Sequence, residues 1–243
     1  MKKTLIALTA IACFSSVAYA ENSGVYLGGQ LGVSILKAKS LQDKWKYDDG
    51  DEVDTETFKT GSISKGKFAG ALNLGYNFKY DYAIPVRAEL SFTLRGNLDK
   101  EKNKSIIDED GDVLHSKERT KARMNTLMVN GYYDIETGTA FTPFVGAGLG
   151  VAFAKLDHKY SEKYDFDNEE DYIQFSKSKT KFAWNVAAGV AYNVADNLDI
   201  DFTARYVDAG KLSIKRNVDD ELSVKASGKL SSVDLLAGIR YSF

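Results

Sequence analysis

Several features that often define a protein class are scarce in this sequence. Its 243 residues include 1 cysteine, 2 prolines and 2 histidines. Beyond the extreme N-terminus no apolar run reaches the roughly 18 residues that a membrane-spanning helix needs, so a bundle of such helices is excluded. Basic and acidic residues are nearly balanced, 32 against 34, and they form no basic stripe. This balance argues against nucleic acid as a partner.

The first 20 residues have the composition of an export signal. Two lysines precede an apolar segment at residues 4–14, and the sequence AYA at 18–20 is a small-x-small cleavage site. We therefore expect residues 1–20 to be a cleaved secretory signal peptide and residues 21–243 to form the mature barrel domain. Cleavage removes Cys13, the single cysteine, so no disulfide is expected in the exported chain.

From Gly24 onward, apolar and polar residues alternate with a period of two, which predicts β-strands with one apolar face. The pattern recurs in segments of about ten residues, the length of a tilted strand that crosses a bilayer. In the fourth segment we place Leu127, Val129 and Tyr133 on the apolar face and Met128 on the polar face. The eight segments are 25–35, 68–78, 84–95, 121–135, 145–153, 182–194, 198–206 and 232–243.

The connections between these segments alternate in length. Short turns lie around 79–82, 136–139 and 195–197, whereas long charged connections lie near 36–66, 96–119, 155–179 and 209–228. Tight turns at one end and long loops at the other are typical of outer-membrane barrels. The sequence therefore predicts an all-β fold, an eight-stranded antiparallel up-and-down transmembrane β-barrel with short periplasmic turns and four long extracellular loops.

The polar faces of the strands consist mainly of Gly, Ala, Ser, Thr and Asn, which suit a narrow barrel interior. Two interpretations of the charges on these faces are open, a structural network that fills the interior or a narrow conduit. An eight-stranded barrel has an interior just wide enough for side chains to fill, which favours the structural network. The charges are four arginines and four acids, Arg87, Glu89, Arg95, Asp199, Asp201, Arg205, Asp234 and Arg240.

Aromatic residues gather near the short-turn ends of the strands, as in the aromatic girdle of a membrane interface. A core would scatter them along the strands instead. The residues of this expected girdle are Tyr26, Phe78, Tyr80, Tyr82, Tyr132, Tyr133, Phe141, Phe144, Tyr192, Tyr241 and Phe243.

Five motifs within the predicted strands and their turns carry a family resemblance: VYLGGQLG at 25–32, RAEL at 87–90, NGYYD at 130–134, FTPFVGAGLG at 141–150 and LAGIRYSF at 236–243. Together they resemble the OmpA-like outer-membrane barrels, and most of all their opacity-type, surface-antigen and porin-like members. The resemblance implies a Gram-negative outer membrane and an exposed surface. It also implies that the last strand, with Tyr241 and Phe243, is the signal read by the barrel-insertion machinery.

Outer-membrane lipid and lipopolysaccharide are the partners that this location implies, and we expect a monomer. Lys121 and Arg123 fall on the predicted lipid face at the outer end of the fourth segment. They would either pair with lipopolysaccharide phosphates or extend into the loop layer.

No cofactor, metal or catalytic site is expected. The acidic runs at 48–54 and 108–112 lack the glutamate that closes a twelve-residue calcium loop. His115 and His158 fall in long connections, without metal-ligand spacing or an ordered set of catalytic partners. We therefore expect no enzymatic activity.

Two functions stay open at this point. In the first, the extracellular loops mediate adhesion, interaction with a host or environmental ligand, or shielding of the cell surface. In the second, the barrel interior is a small porin-like channel for ions or small solutes. Fold alone does not decide between them, because function depends on sites rather than on architecture.

Overall fold

A computed structural model describes residues 24–48, 53–107, 113–164, 171–217 and 222–243. Within this part of the chain, no helix has the length and apolar character needed to cross a membrane. The predicted signal peptide and the acidic stretches 49–52 and 108–112 lie outside the described residues. The elements are β1 (Val25–Asp48), β2 (Val53–Asn77), α1 (Phe78–Tyr82), β3 (Val86–Arg95), β4 (Leu98–Ile107), β5 (Val113–Asp134), β6 (Phe141–Tyr164), β7 (Asp171–Ala195), β8 (Leu198–Asn217) and β9 (Leu222–Ser242).

The strands form one closed antiparallel sheet. β1 pairs with β2 on one side and with β9 on the other, and β8, β7, β6 and β5 follow β9 in order. β3 and β4 are two parts of one barrel strand that is interrupted at Gly96 and Asn97, and both parts pair with β5. Since β3 also pairs with β2, the barrel closes with eight strands. The predicted eight-stranded antiparallel barrel is confirmed.

The apolar face of each strand points away from the barrel axis. Leu72 is 67% exposed and Leu149 is 60% exposed, and equally apolar neighbours surround them on the outer face. In β5, Leu127 and Val129 are exposed while Met128 is fully buried, so the register predicted for the fourth segment is correct. A continuous apolar band of this kind is the lipid-facing surface of a membrane barrel.

Small residues on the inner face leave space for large side chains from neighbouring strands. A Cβ atom at Gly75 would overlap the ring of Tyr26, and one at Gly146 would overlap the ring of Tyr132. These glycines therefore allow tyrosine rings to lie inside the barrel, where each ring is almost fully buried.

The short connections and the two ends of the described chain lie at one end of the barrel, here called the short-turn end. The first connection contains α1, capped by the Asn77 side chain, which accepts a hydrogen bond from the Lys79 backbone N–H. The exposed rings of Tyr82, Phe141 and Tyr192 surround this end, as expected for a girdle.

Three aromatic residues assigned to the girdle are placed elsewhere. Tyr26, Tyr132 and Phe144 are buried, with exposed fractions of 1%, 3% and 3%. The assignment was wrong for them because it considered only their position along the strand. The alternation of the strand turns each of these side chains inward.

The opposite end of the barrel, here called the hairpin end, differs from the sequence expectation in detail. The segments predicted as long loops are largely strand, because β1, β2, β6 and β7 each run for 24 or 25 residues. In water both faces of such a hairpin can be polar, so no alternation marks it in the sequence, while ladder hydrogen bonds still pair its backbone.

The extended strands at the hairpin end do not continue the closed barrel. Pairing between β2 and β3 ends where Ala69 lies opposite Arg95, and pairing between β7 and β8 ends where Trp184 lies opposite Asp208. Beyond these points the described strands form two separate four-stranded sheets. The first hairpin sheet has the order β8, β9, β1, β2, and the second has the order β4, β5, β6, β7.

Candidate functional site

The barrel interior holds the first group of candidate residues, a set of buried ion pairs. Arg95 and Asp234 form a pair 2.5 Å apart, and both side chains are completely buried. The Asp234 carboxylate also accepts a hydrogen bond from the Ser34 hydroxyl at 2.5 Å. Arg95 donates in addition to Thr126 at 3.0 Å. This cluster joins strands β1, β3, β5 and β9 across the interior.

A second pair involves an acid outside the eight charges predicted for the interior. The Arg87 guanidinium donates three hydrogen bonds to the Asp134 carboxylate, from Nε to both oxygens and from Nη2 to Oδ1, the shortest at 2.7 Å. It also lies 5.0 Å from the ring centre of Tyr132 and 4.9 Å from that of Phe144. Asp134 lies two positions after Tyr132 in β5, so both side chains lie on the inner face of the strand. This spacing is the sequence signal that identifies Asp134 as an interior acid.

Glu89 and Arg205 are connected through tyrosine. Glu89 accepts hydrogen bonds from the hydroxyls of Tyr26 at 3.1 Å and Tyr132 at 3.3 Å. Arg205 donates to the same Tyr132 hydroxyl at 3.3 Å and to Ser91 at 3.4 Å. One tyrosine hydroxyl therefore links a buried carboxylate to a buried guanidinium.

The remaining three predicted charges meet near the short-turn end. The Arg240 guanidinium lies 2.9 Å from Asp199 and 3.4 Å from Asp201. It also lies 5.4 Å from the ring centre of Tyr26. All eight predicted charges therefore face the interior. Six of them form direct ion pairs: Arg95 with Asp234, Arg240 with Asp199 and Asp201, and Arg87 with the additional acid Asp134.

An apolar layer lies between this charged region and the hairpin end. Along β1 the inner row changes from Ser34 to Leu36, and along β8 it changes from Arg205 to Val207. Met124 occupies the corresponding level of β5. The layer consists of the buried residues Leu36, Leu98, Met124, Met128, Ala152, Ala183, Val207 and Ala209. Its members are buried and pack against one another across the described interior.

Lysine side chains cross both gaps between the two hairpin sheets. At the first gap, between β2 and β4, Lys65 Nζ donates to the backbone carbonyl of Asp99 at 2.7 Å, and Lys67 lies 3.9 Å from the Asp99 carboxylate. At the second gap, between β7 and β8, Lys179 Nζ donates to the backbone carbonyl of Ser213. Side chains thus connect strand edges that no backbone ladder joins.

Charged residues on the hairpin sheets form exposed pairs. Lys117 lies 2.9 Å from Glu101, and its hydrogen bond lowers the pKa of the Glu101 carboxyl. The pKa of Asp157 is lowered as well, first by a hydrogen bond from Ser176 and then by one from Lys155.

The residues considered for metal or lipid binding are placed as follows. His115 lies in β5 and His158 in β6, with side chains outside the described part. Among the described side chains no group of histidine, cysteine and acids could hold a metal ion. Arg123 is exposed and donates to Asn97 at 2.7 Å, at the interruption between β3 and β4. Lys121 lies opposite Asp157.

The C-terminal residues close the barrel at the short-turn end. The backbone N–H of Phe243 donates to the Val25 carbonyl at 3.0 Å. The rings of Tyr241 and Phe243 are 5.2 Å apart in an edge-to-face arrangement, and Tyr241 is 44% exposed on the lipid side.

Comparison with known proteins identifies the family of this chain. The family described as "Outer membrane protein beta-barrel domain" matches residues 5–243. The outer membrane protein PagN of Salmonella typhimurium is 35% identical over 96% of this chain and 95% of its own. A candidate adhesin of Rickettsia prowazekii, RP828, is 26% identical over 99% of both chains. The structure of Neisserial surface protein A has a TM-score of 0.49 and 19% identity, covering 92% of this chain and all of its own. The chain belongs to the outer-membrane β-barrel protein family, and its barrel lies in the outer membrane.

Proposed function

We propose that this protein is a surface adhesin, in which the two hairpin sheets bind a host or environmental surface and the barrel is their anchor. The observation that carries this proposal is the contrast between a filled interior and two long charged sheets beyond the membrane. The name of the Rickettsia relative describes an adhesin, which supports the same function. Shielding of the cell surface would use the same sheets without a ligand.

We propose that the buried charges form a structural network. Arg95, Asp234, Arg87 and Asp134 satisfy one another in enclosed pairs, and the apolar layer separates them from the hairpin end. Enclosed groups of this kind are not accessible to a substrate, so we also propose that the protein is not an enzyme. Removal of one partner would leave an uncompensated buried charge.

We further propose that residues 1–20 direct export and are removed, and that residues 21–243 are the mature domain. Tyr241 and Phe243, at the end of the last strand, would then be recognised by the barrel-insertion machinery. The exposed ring of Tyr241 and the edge-to-face contact between the two rings support an accessible aromatic motif.

The adhesion proposal is tested by shortening the hairpins without changing their register. Each tip is replaced by Asn-Gly, which forms the two-residue turn that antiparallel strands favour. In β1–β2 the new turn joins Gln42 to Lys59, which already lie opposite each other. The equivalent junctions are Lys102 to Glu118, Lys159 to Gln174 and Lys215 to Lys225.

Bacteria that display the variant with all four shortened hairpins should lose adherence to cultured epithelial cells. Two matched variants, each with only one hairpin sheet shortened, would identify the sheet that binds. The heat-dependent mobility of the barrel on detergent gels serves as the folding control. Adherence equal to that of the wild-type chain, with all four hairpins shortened, would contradict the proposal.

The channel alternative is tested with the full-length chain in planar bilayers. The filled interior predicts no stable unitary conductance, because apolar side chains occupy the level between Leu36 and Val207. A variant with Leu36→Ser, Met124→Ser and Val207→Ser provides a polar control for that layer. Stable unitary steps from the wild-type chain would favour the porin-like function instead.

A further inference from the structure

Three exposed lysines lie side by side on neighbouring strands of the first hairpin sheet. Lys39 of β1 lies directly opposite Lys229 of β9, and Lys229 lies directly opposite Lys211 of β8. All three side chains are exposed, and Lys37 occupies the preceding outward position on β1. Like charges directly opposite each other destabilise an antiparallel pair. A row of three is therefore an arrangement that the sheet itself does not favour.

These three residues are here called the lysine row. No ion pair or hydrogen bond joins Lys39, Lys211 or Lys229 to another described residue. On β8, the described acid nearest to Lys211 along the chain is Asp208. Its carboxylate accepts hydrogen bonds from the Tyr206 hydroxyl and the Gly210 backbone N–H. With respect to the described residues, the row thus presents three adjacent ammonium groups whose hydrogen-bond donors are unused.

A local irregularity of β8 brings the third lysine into the row. Val207 and Ala209 face the interior, so simple alternation would turn Lys211 inward as well. The register shifts between Asp208 and Lys211, and Gly210 has a φ of 67°, a conformation that glycine adopts without strain. Because of this bulge, Lys211 lies on the outer face opposite Lys229.

The row lies at the edge of the lipid-facing band. On β1 the outward positions run from Leu27 through Leu31 and on to Ile35, and then become Lys37 and Lys39. A tilted strand crosses the hydrocarbon core with about 9–11 residues. The lysines therefore begin where the outer-leaflet headgroups begin, on the side of the membrane that carries the hairpin sheets.

We propose that the lysine row binds the phosphate groups of a phosphorylated glycolipid in the outer leaflet. Ammonium groups form strong charge-assisted hydrogen bonds with phosphate oxygens, and one anionic headgroup between neighbouring lysines removes their mutual repulsion. The row lies at the membrane-side base of the first hairpin sheet, outside the tips that the adhesion test removes, because the junctions Gln42 to Lys59 and Lys215 to Lys225 leave all three lysines in place. Loss of adherence in the shortened variants and loss of lipid binding in a row variant are therefore separate outcomes.

The test compares two variants with the same change in net charge. In the first, Lys39→Gln, Lys211→Gln and Lys229→Gln remove the row. In the control, Lys117→Gln, Arg119→Gln and Lys155→Gln remove exposed cations that already pair with Glu101 or Asp157. Native mass spectrometry measures binding of diphosphorylated lipid A, lipid A without its phosphates, and inorganic phosphate to the full-length protein in zwitterionic detergent.

The row variant should bind diphosphorylated lipid A roughly tenfold more weakly than the wild-type chain, while the control variant stays within about twofold. The dephosphorylated lipid should bind all three proteins equally. Equal losses in the row and control variants would overturn the proposal, since general charge attraction would then explain binding. Binding of inorganic phosphate as tight as that of the lipid would also overturn it, because the site would then recognise a free anion.

Thermal unfolding separates a binding defect from a folding defect. Without lipid, the row variant should be as stable as the wild-type chain or slightly more stable, because three like charges have been removed. With diphosphorylated lipid A, the melting temperature of the wild-type chain should rise and that of the row variant should not. The Lys→Arg version of all three positions should restore the rise. Failure of this conservative variant to restore it, in a folded protein, would contradict the proposed role of charge.

Discussion

The part of the barrel within the membrane and the part beyond it are built by different rules. Within the lipid-facing band every strand is paired on both sides. Beyond it the same strands separate into two sheets with two gaps. The gaps begin beside Ala69 and Trp184, next to lipid-facing aromatic rings that include Phe68. Hydrocarbon cannot satisfy an open sheet edge, whereas water can. The solvent therefore determines where closure is required.

The same contrast applies to charges. Inside the barrel, Arg95 and Asp234 are completely buried and have several partners each. Beyond the membrane, Lys155 and Asp157 form a pair whose side chains stay 48% and 32% exposed. Buried pairs lose a great deal when one member is removed, and exposed pairs lose little.

The largest expected effect comes from breaking the interior pair. Arg95→Ala should lower the free energy of unfolding by about 3–5 kcal/mol, because it leaves the Asp234 carboxylate buried without its cation. Arg87→Ala should act in the same direction through Asp134, and Glu89→Ala should also lower thermal stability. The measurement is the melting temperature in detergent, followed by heat-dependent gel mobility.

The matched control for this prediction is Lys155→Ala in the second hairpin sheet. Its exposed pair should contribute at most about 1 kcal/mol. If Arg95→Ala and Lys155→Ala changed the melting temperature equally, the difference between buried and exposed charges would not hold.

A smaller effect is expected at the gaps. The variant with Lys65→Ala, Lys67→Ala and Lys179→Ala removes the described side-chain links between the sheets, and its unfolding free energy should change by less than about 1 kcal/mol. Hydrogen exchange gives the sharper measurement. Backbone amides of residues 53–67 should exchange faster than those of 69–77 in the wild-type chain, because only the latter lie between two paired strands. Equal protection of the two ranges would show that the first gap is closed in solution.

The smallest effect is a local dependence on pH. The hydrogen bond from Lys117 lowers the pKa of Glu101 below its ordinary value of 4.5. A carboxyl with a lowered folded-state pKa stabilises the hairpin above its unfolded pKa, and this contribution disappears as the pH falls through the folded value. Carbon-13 NMR of the side-chain carboxyl should give a midpoint below 4.5 for the wild-type chain.

Lys117→Gln provides the comparison for this titration. The midpoint of Glu101 should move upward toward its ordinary value when the ammonium is absent. The same midpoint in both proteins would indicate that the pair is absent in solution.

The sequence predicts the membrane part well because the bilayer imposes a strict pattern on it. Alternation gave the strand count, the faces of Leu127 and Met128, and the inward direction of the eight charges. It could not give their partners, since Arg95 and Asp234 are separated by 139 positions and meet only when the barrel closes. Asp134 also has inner-face parity, at the end of β5, although it is not among the eight predicted charges.

The hairpin end was less predictable for a physical reason. A strand that extends beyond the membrane can have water on both faces, so neither face needs to be apolar and the period of two disappears. The ladder then depends on backbone hydrogen bonds, which every sequence can form. The bulge at Gly210 is equally local, and it reverses the face of Lys211 without a change in composition.

The two gaps have a consequence for how this surface can evolve. An insertion or deletion in the β8–β9 or β1–β2 hairpin changes strand pairing only within the first hairpin sheet, whose edge strands are β8 and β2. One in the β4–β5 or β6–β7 hairpin changes pairing only within the second, whose edge strands are β4 and β7. Neither change propagates across a gap to the other sheet. Each sheet can therefore lengthen, shorten or alter its exposed residues under immune or ligand selection while the other keeps its shape. The separation gives the molecule two independently variable halves on one invariant base.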